Sequence, residues 1–316
     1  VIFSELADKM DRDALPSSIE ESMRHPEFVV SRGAAVAMMR ISEQASSRLV
    51  QTEVPSRLAA LHTSGGPTPS TSLRLGQEHE STILLRCLTF YVGATNTTSD
   101  EATEQACASL AQPVIEMTRT CFREGVVEPC TTSERVRRLV DLDIVLRALK
   151  RAFEHLGKSS VVLCDLIASS AAVLQQASTF LVHPTMVEER FKMGWCLKAL
   201  VDLVQFAGSE LMAGILTIAV EAYTRAPQLG SCYLEALCAL LEKYGDVSIH
   251  VALHGVSFHS TGHVVSEMLA SILPSSLDDP EGWIAAFSLT RVCIRSGCSS
   301  LCAHVPTIVE VSRRSL

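Results

Sequence analysis

The stretch SERVRRLVDLDIVLRALKRAFEHL, residues 133–156, sets Leu139, Leu142, Leu146, Leu149 and Phe153 on one stripe and Arg137, Arg147 and Arg151 on the opposite one. Side chains three and four positions apart share a face only at 3.6 residues per turn, so the stretch reads as a helix with one side laid on a core. Residues 229–244 repeat the design, with Tyr233, Leu237, Leu240, Leu241 and Tyr244 on one side and Glu235 and Glu242 on the other. Residues 211–223 do so through Leu211, Ile215, Ile218, Ala219 and Ala222.

Working outward, helical spacing recurs near 1–9, 15–24, 26–43, 46–62, 80–94, 101–124, 159–180, 185–206, 247–273, 280–296 and 299–313, and no segment reads as a sustained strand alternation. Start signals support the boundaries. Thr98 with Glu101, Thr131 with Glu134 and Thr185 with Glu188 are capping boxes, and Asp279-Pro280 puts proline at a first helical position. Gly157 and Gly245 stand where helices should stop. The expected class is all-α. Helix pairs recurring at about 40–47 residues fit an α-α superhelix of HEAT or armadillo-like hairpins. On this reading residues 1–316 are a single solenoid segment of about six to seven hairpins. The run SGGPTPSTS at 64–72 cannot continue a helix, so 64–79 is expected to be a flexible inserted loop.

Composition narrows the function. With 35 acidic against 27 basic residues the net charge is −8, which disfavours the basic surface that nucleic-acid binding requires. The uncharged stretch from Leu166 to Val187 is long enough to span a bilayer but carries Gln175, Gln176, His183 and Pro184, so no membrane span is expected. Eleven cysteines scattered among apolar residues read as small buried hydrophobes in a reducing compartment. The chain begins at Val1 without an initiator Met and is expected to be cut from a longer polypeptide.

Candidate chemistry is sparse. His250, His254, His259 and His263 fall in one expected helix, where an i,i+4 pair such as His250 and His254 could face a metal. The glutamate of a zinc-hydrolase motif is missing between them, so surface histidines are the better reading. Cys293, Cys298 and Cys302 with His304 lack the close C-x-x-C pairs of structural zinc. The basic run Arg135, Arg137, Arg138, Arg147, Lys150 and Arg151 is interleaved with Glu134, Asp141 and Asp143, as on a solvated face with local ion pairs. There is no phosphate-binding glycine loop and no nucleophile elbow. No enzyme, metal or cofactor is expected.

Three stretches carry a family resemblance. His25-Pro26-Glu27-Phe28-Val29-Val30 leads into a small-residue helix through Ala34, Ala35, Ala37 and Met38. Ala172-Val173-Leu174-Gln175 continues through His183 to Met186-Val187-Glu188-Glu189-Arg190. Leu211–Tyr244 holds Glu221-Ala222-Tyr223-Thr224-Arg225-Ala226-Pro227-Gln228 between its helices. From about Pro26 onward the chain resembles the karyopherin-β family of nuclear transport receptors, in the transportin-SR and importin-thirteen group. The resemblance implies a HEAT-repeat superhelix whose concave face wraps protein cargo. It implies regulation by the Ran GTPase, mainly through a region N-terminal to this segment, with nucleoporins as further candidate partners and shuttling between cytoplasm and nucleus. The family's arginine-rich cargo helix would correspond to 185–206, where Arg190, Lys192 and Lys198 become the candidate cargo-binding residues. Trp195 and Asp202 stand where that pattern has basic character, which puts Arg/Ser-repeat cargo in doubt. The rival expectation is a general α-solenoid scaffold or regulatory subunit unrelated to nuclear transport.

Overall fold

The computed structural model describes residues 100–123, 130–157, 160–181, 185–225, 231–253, 256–275 and 280–314. The helices expected before residue 95, the 64–79 loop, the Thr98 cap and the resemblance at 25–38 lie outside these residues. The elements in chain order are α1 (Asp100–Cys121), α2 (Thr132–Leu156), α3 (Val161–Phe180), α4 (Val187–Ala207), α5 (Ser209–Arg225), α6 (Ser231–Tyr244), β1 (Ser248–Leu253), β2 (Val256–Ser260), α7 (Thr261–Ser275), α8 (Pro280–Arg295), a 3-10 turn (Ser299–His304) and α9 (Val305–Arg314). The protein is all-α, with one two-stranded ribbon among the described residues.

Local chemistry explains most of the boundaries. Thr131 Oγ1 accepts from the Glu134 N–H at 3.2 Å, which is half of the expected box. Glu134 turns its carboxylate to Arg137 and Arg138 and does not close the other half. α2 and α6 end on Gly157 and Gly245, at φ +61° and +71°, where a side chain would be strained. α4 starts at Val187 with Met186, one residue past Thr185, in the cap position, and Met186 offers no side-chain hydrogen bond.

The described residues fall into two compact units, 100–116 with 140–163, and 117–139 with 164–314. In the first, Cys107, Ala111, Val114 and Ile115 of α1 are buried, as are Leu142, Leu146, Leu149 and Phe153 of the α2 stripe. By length and composition α3 could cross a membrane, but Leu163, Ile167, Val173, Leu174 and Ala177 along it are buried within the protein.

From α4 onward, the second unit shows contacts between chain neighbours and between helices two apart. α4 packs on α5 and α6, α6 on α8, α5 on α7, and α7 on α8 and α9. α4, α6 and α8 thus form one row of stacked helices, and α5, α7 and α9 form a second. α4 and α6 start 44 residues apart and α6 and α8 start 49 apart. Polar ties cross the first row. Tyr244 Oη donates to the Val201 carbonyl at 3.0 Å and accepts from the Gln205 N–H at 3.1 Å, while Ser296 Oγ donates to the Leu241 carbonyl at 3.2 Å.

The main departure from the sequence reading is at 247–273, expected to be one helix. Ser248–Leu253 and Val256–Ser260 pair as antiparallel strands, with Leu253 opposite Val256, and α7 begins only at Thr261. The ribbon lies on α5 and α7, burying Phe258 and leaving Ser257 and His259 exposed, a period of two. Its exit is held by side chains. Thr261 Oγ1 accepts from the Val247 N–H at 2.9 Å and donates to the Gly245 carbonyl at 3.0 Å. Ser260 Oγ accepts from the His263 N–H at 3.1 Å, and Asp246 Oδ1 accepts from the Gly262 N–H at 2.7 Å, so two free amides of α7 are satisfied.

A Cβ at Gly262 would stand 2.8 Å from the Asp246 carboxyl carbon and from both of its oxygens. Gly262→Ala is therefore expected to expel the carboxylate and lower stability by about 1–2 kcal/mol, the size of a lost N-cap. Thermal denaturation should show Asp246→Ala losing a similar amount and the double variant losing little more than either, because both remove the same bond.

Candidate functional site

The candidate site is the outer face of α4. Its inner face is core, with Met193, Cys196, Leu197, Leu200, Leu203 and Val204 buried. The opposite face breaks the amphipathic rule: Val187, Phe191 and Trp195, four residues apart, are 60%, 46% and 37% exposed. The Phe191 and Trp195 rings lie 5.5 Å apart, tilted by 59°. Lys192 sets its Nζ 3.7 Å from the Trp195 ring centre, within cation–π range. Lys198 is exposed one turn further along. Below it Asp202 pairs with Lys243 at 3.1 Å. Among the described residues no ion pair engages Lys192 or Lys198, so the face offers an aromatic step flanked by two available ammonium groups.

The expected trio of cations is corrected in one member. Arg190 is only 1% exposed and donates through Nη1 to the Leu181 carbonyl at 3.2 Å, so it serves the packing of α4 against the end of α3 and presents no surface charge. Beside it the fully buried Glu189 accepts twice from Arg135, at 3.1 and 3.2 Å. Most of the basic run on α2 is likewise engaged: Arg137 and Arg138 with Glu134, and Arg147 with Asp143 at 3.0 Å. Sequence reasoning missed the aromatic step. Its signal was Val187, Phe191 and Trp195 at i, i+4 and i+8, but these read equally well as core.

The placement of the histidines in one helix is corrected as well. His250 lies on β1 and His259 on β2, with rings stacked 5.8 Å apart, while His263 lies on α7 with its ring 5.3 Å from Phe258. His250 thus lies on a strand and not on a helix, and His254 lies outside the described residues. Cys302 is exposed and His304 pairs with Glu267 at 3.4 Å. Among the described residues no three His, Cys, Asp or Glu side chains come together as a metal site. No family model, curated protein or solved structure matches the chain.

Proposed function

We propose that this chain binds protein partners on a stacked helical-hairpin array, as a segment of an importin-β-type nuclear transport receptor, and is not an enzyme. The observation that carries the reading is the outward-facing aromatic step on α4 with Lys192 and Lys198 beside it. Large exposed aromatics are costly to leave in water, and in interfaces they become the anchors that a partner covers. The two-row packing supports the array, because stacked hairpins touch in this neighbour and next-but-one pattern. The sequence resemblance supplies the transport role, with protein cargo, Ran and nucleoporins as partners and both cytoplasm and nucleus as its place of work.

The occupant of the α4 face is an acidic cargo segment that places an apolar side chain against Phe191 and Trp195 and carboxylates near Lys192 and Lys198. The test is fluorescence polarisation with a labelled peptide of alternating Glu and Phe. Trp195→Ala and Lys192→Glu should each weaken binding at least about tenfold, as loss of an interface anchor does. Equal binding of a Lys and Phe peptide, or no effect of either substitution, would remove the reading. Release of bound cargo by Ran in its GTP form would support the transport receptor, whereas cargo that stays bound would leave the general scaffold.

A further inference from the structure

We propose that Cys121 and Cys130 are an oxidation site, a reversible dithiol–disulfide pair that locks the corner between α1 and α2. Their sulfurs lie 3.0 Å apart in a hydrogen bond. Cys121 closes α1 and is buried, while Cys130 sits just before α2 and is partly exposed. Both positions are anchored from outside the corner. Phe122, next to Cys121, is buried with its ring 5.8 Å from Phe180 in an edge-on contact, and its carbonyl accepts from Gln176 Nε2 at 3.0 Å. The Cys130 carbonyl accepts from Arg135, the same guanidinium that holds Glu189 of α4. The two thiols are thus held together by packing on α3 and α4.

Access distinguishes this pair from the other one. Cys293 and Cys298 also hydrogen-bond to each other, but they are 0% and 4% exposed, which shields both sulfurs from a dissolved oxidant. In the first pair Cys130 meets the oxidant, and burial pushes the Cys121 thiol up to about 12, which makes Cys121 the slower of the two to react with a dissolved oxidant. The oxidant is a hydroperoxide. The Cys130 sulfur attacks the peroxide oxygen, forming a sulfenic acid and releasing one water when the peroxide is hydrogen peroxide. Cys121 sulfur then attacks the Cys130 sulfur and the hydroxyl leaves as a second water. Two thiol hydrogens end in water, one S–S bond forms, and the peroxide is reduced by two electrons. A thiol reductant reverses the change by exchange.

The test uses the unmodified chain, oxidised briefly with equimolar hydrogen peroxide, alkylated in denaturant and cut with trypsin without reduction. Cleavage after Arg119, Arg123 and Arg135 separates TCFR (120–123) from EGVVEPCTTSER (124–135). The expected result is these two peptides joined, lighter by two hydrogens than their sum, and alkylated cysteines falling from eleven to nine, with dithiothreitol restoring both readings. Cys130 recovered as a sulfinic acid with Cys121 alkylated, or Cys130 joined to other cysteines as often as to Cys121, would overturn the proposal.

Discussion

Replacing Glu189 by alanine is expected to destabilise the protein by about 3–5 kcal/mol, because it strands the Arg135 guanidinium in a nearly dry site. Glu189 is fully buried and Arg135 is 8% exposed. The carboxylate takes both contacts on one oxygen, and its other oxygen has no hydrogen-bond partner among the described residues. The guanidinium is better satisfied: it also donates to the Cys130 carbonyl and to Thr132 Oγ1, and lies 5.5 Å from the Phe180 ring centre. Arg135→Ala should therefore cost at least as much as Glu189→Ala, since it leaves the buried carboxylate without the two donors it has among the described residues. Converting the pair together to Arg135→Met and Glu189→Leu removes both charges and should recover most of the loss. Urea denaturation of the two single variants and the double variant measures the coupling directly. Additive losses would mean that the two charges are solvated independently and do not act as a buried pair.

Much of the fold was legible because helices announce themselves locally. The stripe from Leu139 to Phe153 is buried throughout, and Gly157 and Gly245 end their helices at positive φ. The ribbon was missed because Val251, Leu253, Val256 and Phe258 satisfy a loose helical spacing as well as a period of two. The discriminating signals were the β-branched residues Ile249, Val251 and Val256 and the two-residue His254-Gly255 connection between them. Glycine at the second position of so short a link points to a hairpin, and a helix crossing it would lose stability there.

The candidate site was legible only in part, and the reason is geometric. A helical wheel tells which residues share a face of α4, but not which face a neighbouring element covers. On the wheel Arg190 and Lys198 lie about 80° apart and look like companions. In the structure Arg190 reaches back to Leu181 at the end of α3, and Lys198 points to solvent with Phe191 and Trp195. Lys192, which the wheel separates from both, joins that exposed face through its contact with Trp195. Burial is thus set by a contact that helical periodicity does not encode.

That difference yields a sharp contrast between two basic residues eight positions apart. Arg190→Ala is expected to lower stability by about 2–5 kcal/mol, the range for deleting a large, fully packed side chain, because it opens a cavity and removes a donor from the buried Leu181 carbonyl. The guanidinium also sits at the C-terminal end of α3, where a positive charge opposes the helix's partial negative charge. Arg190→Met keeps most of the volume and should recover the cavity share of that loss but not the hydrogen-bond share. Lys198→Ala, on the exposed face, should change stability by no more than about 0.5 kcal/mol. If Arg190 were a cargo contact and nothing more, Arg190→Ala would leave the urea midpoint where it is and weaken only peptide binding. A midpoint unmoved by Arg190→Ala would therefore return Arg190 to the surface beside Lys192 and Lys198, whereas a large fall with Arg190→Ala and none with Lys198→Ala assigns one cation to the core and the other to recognition.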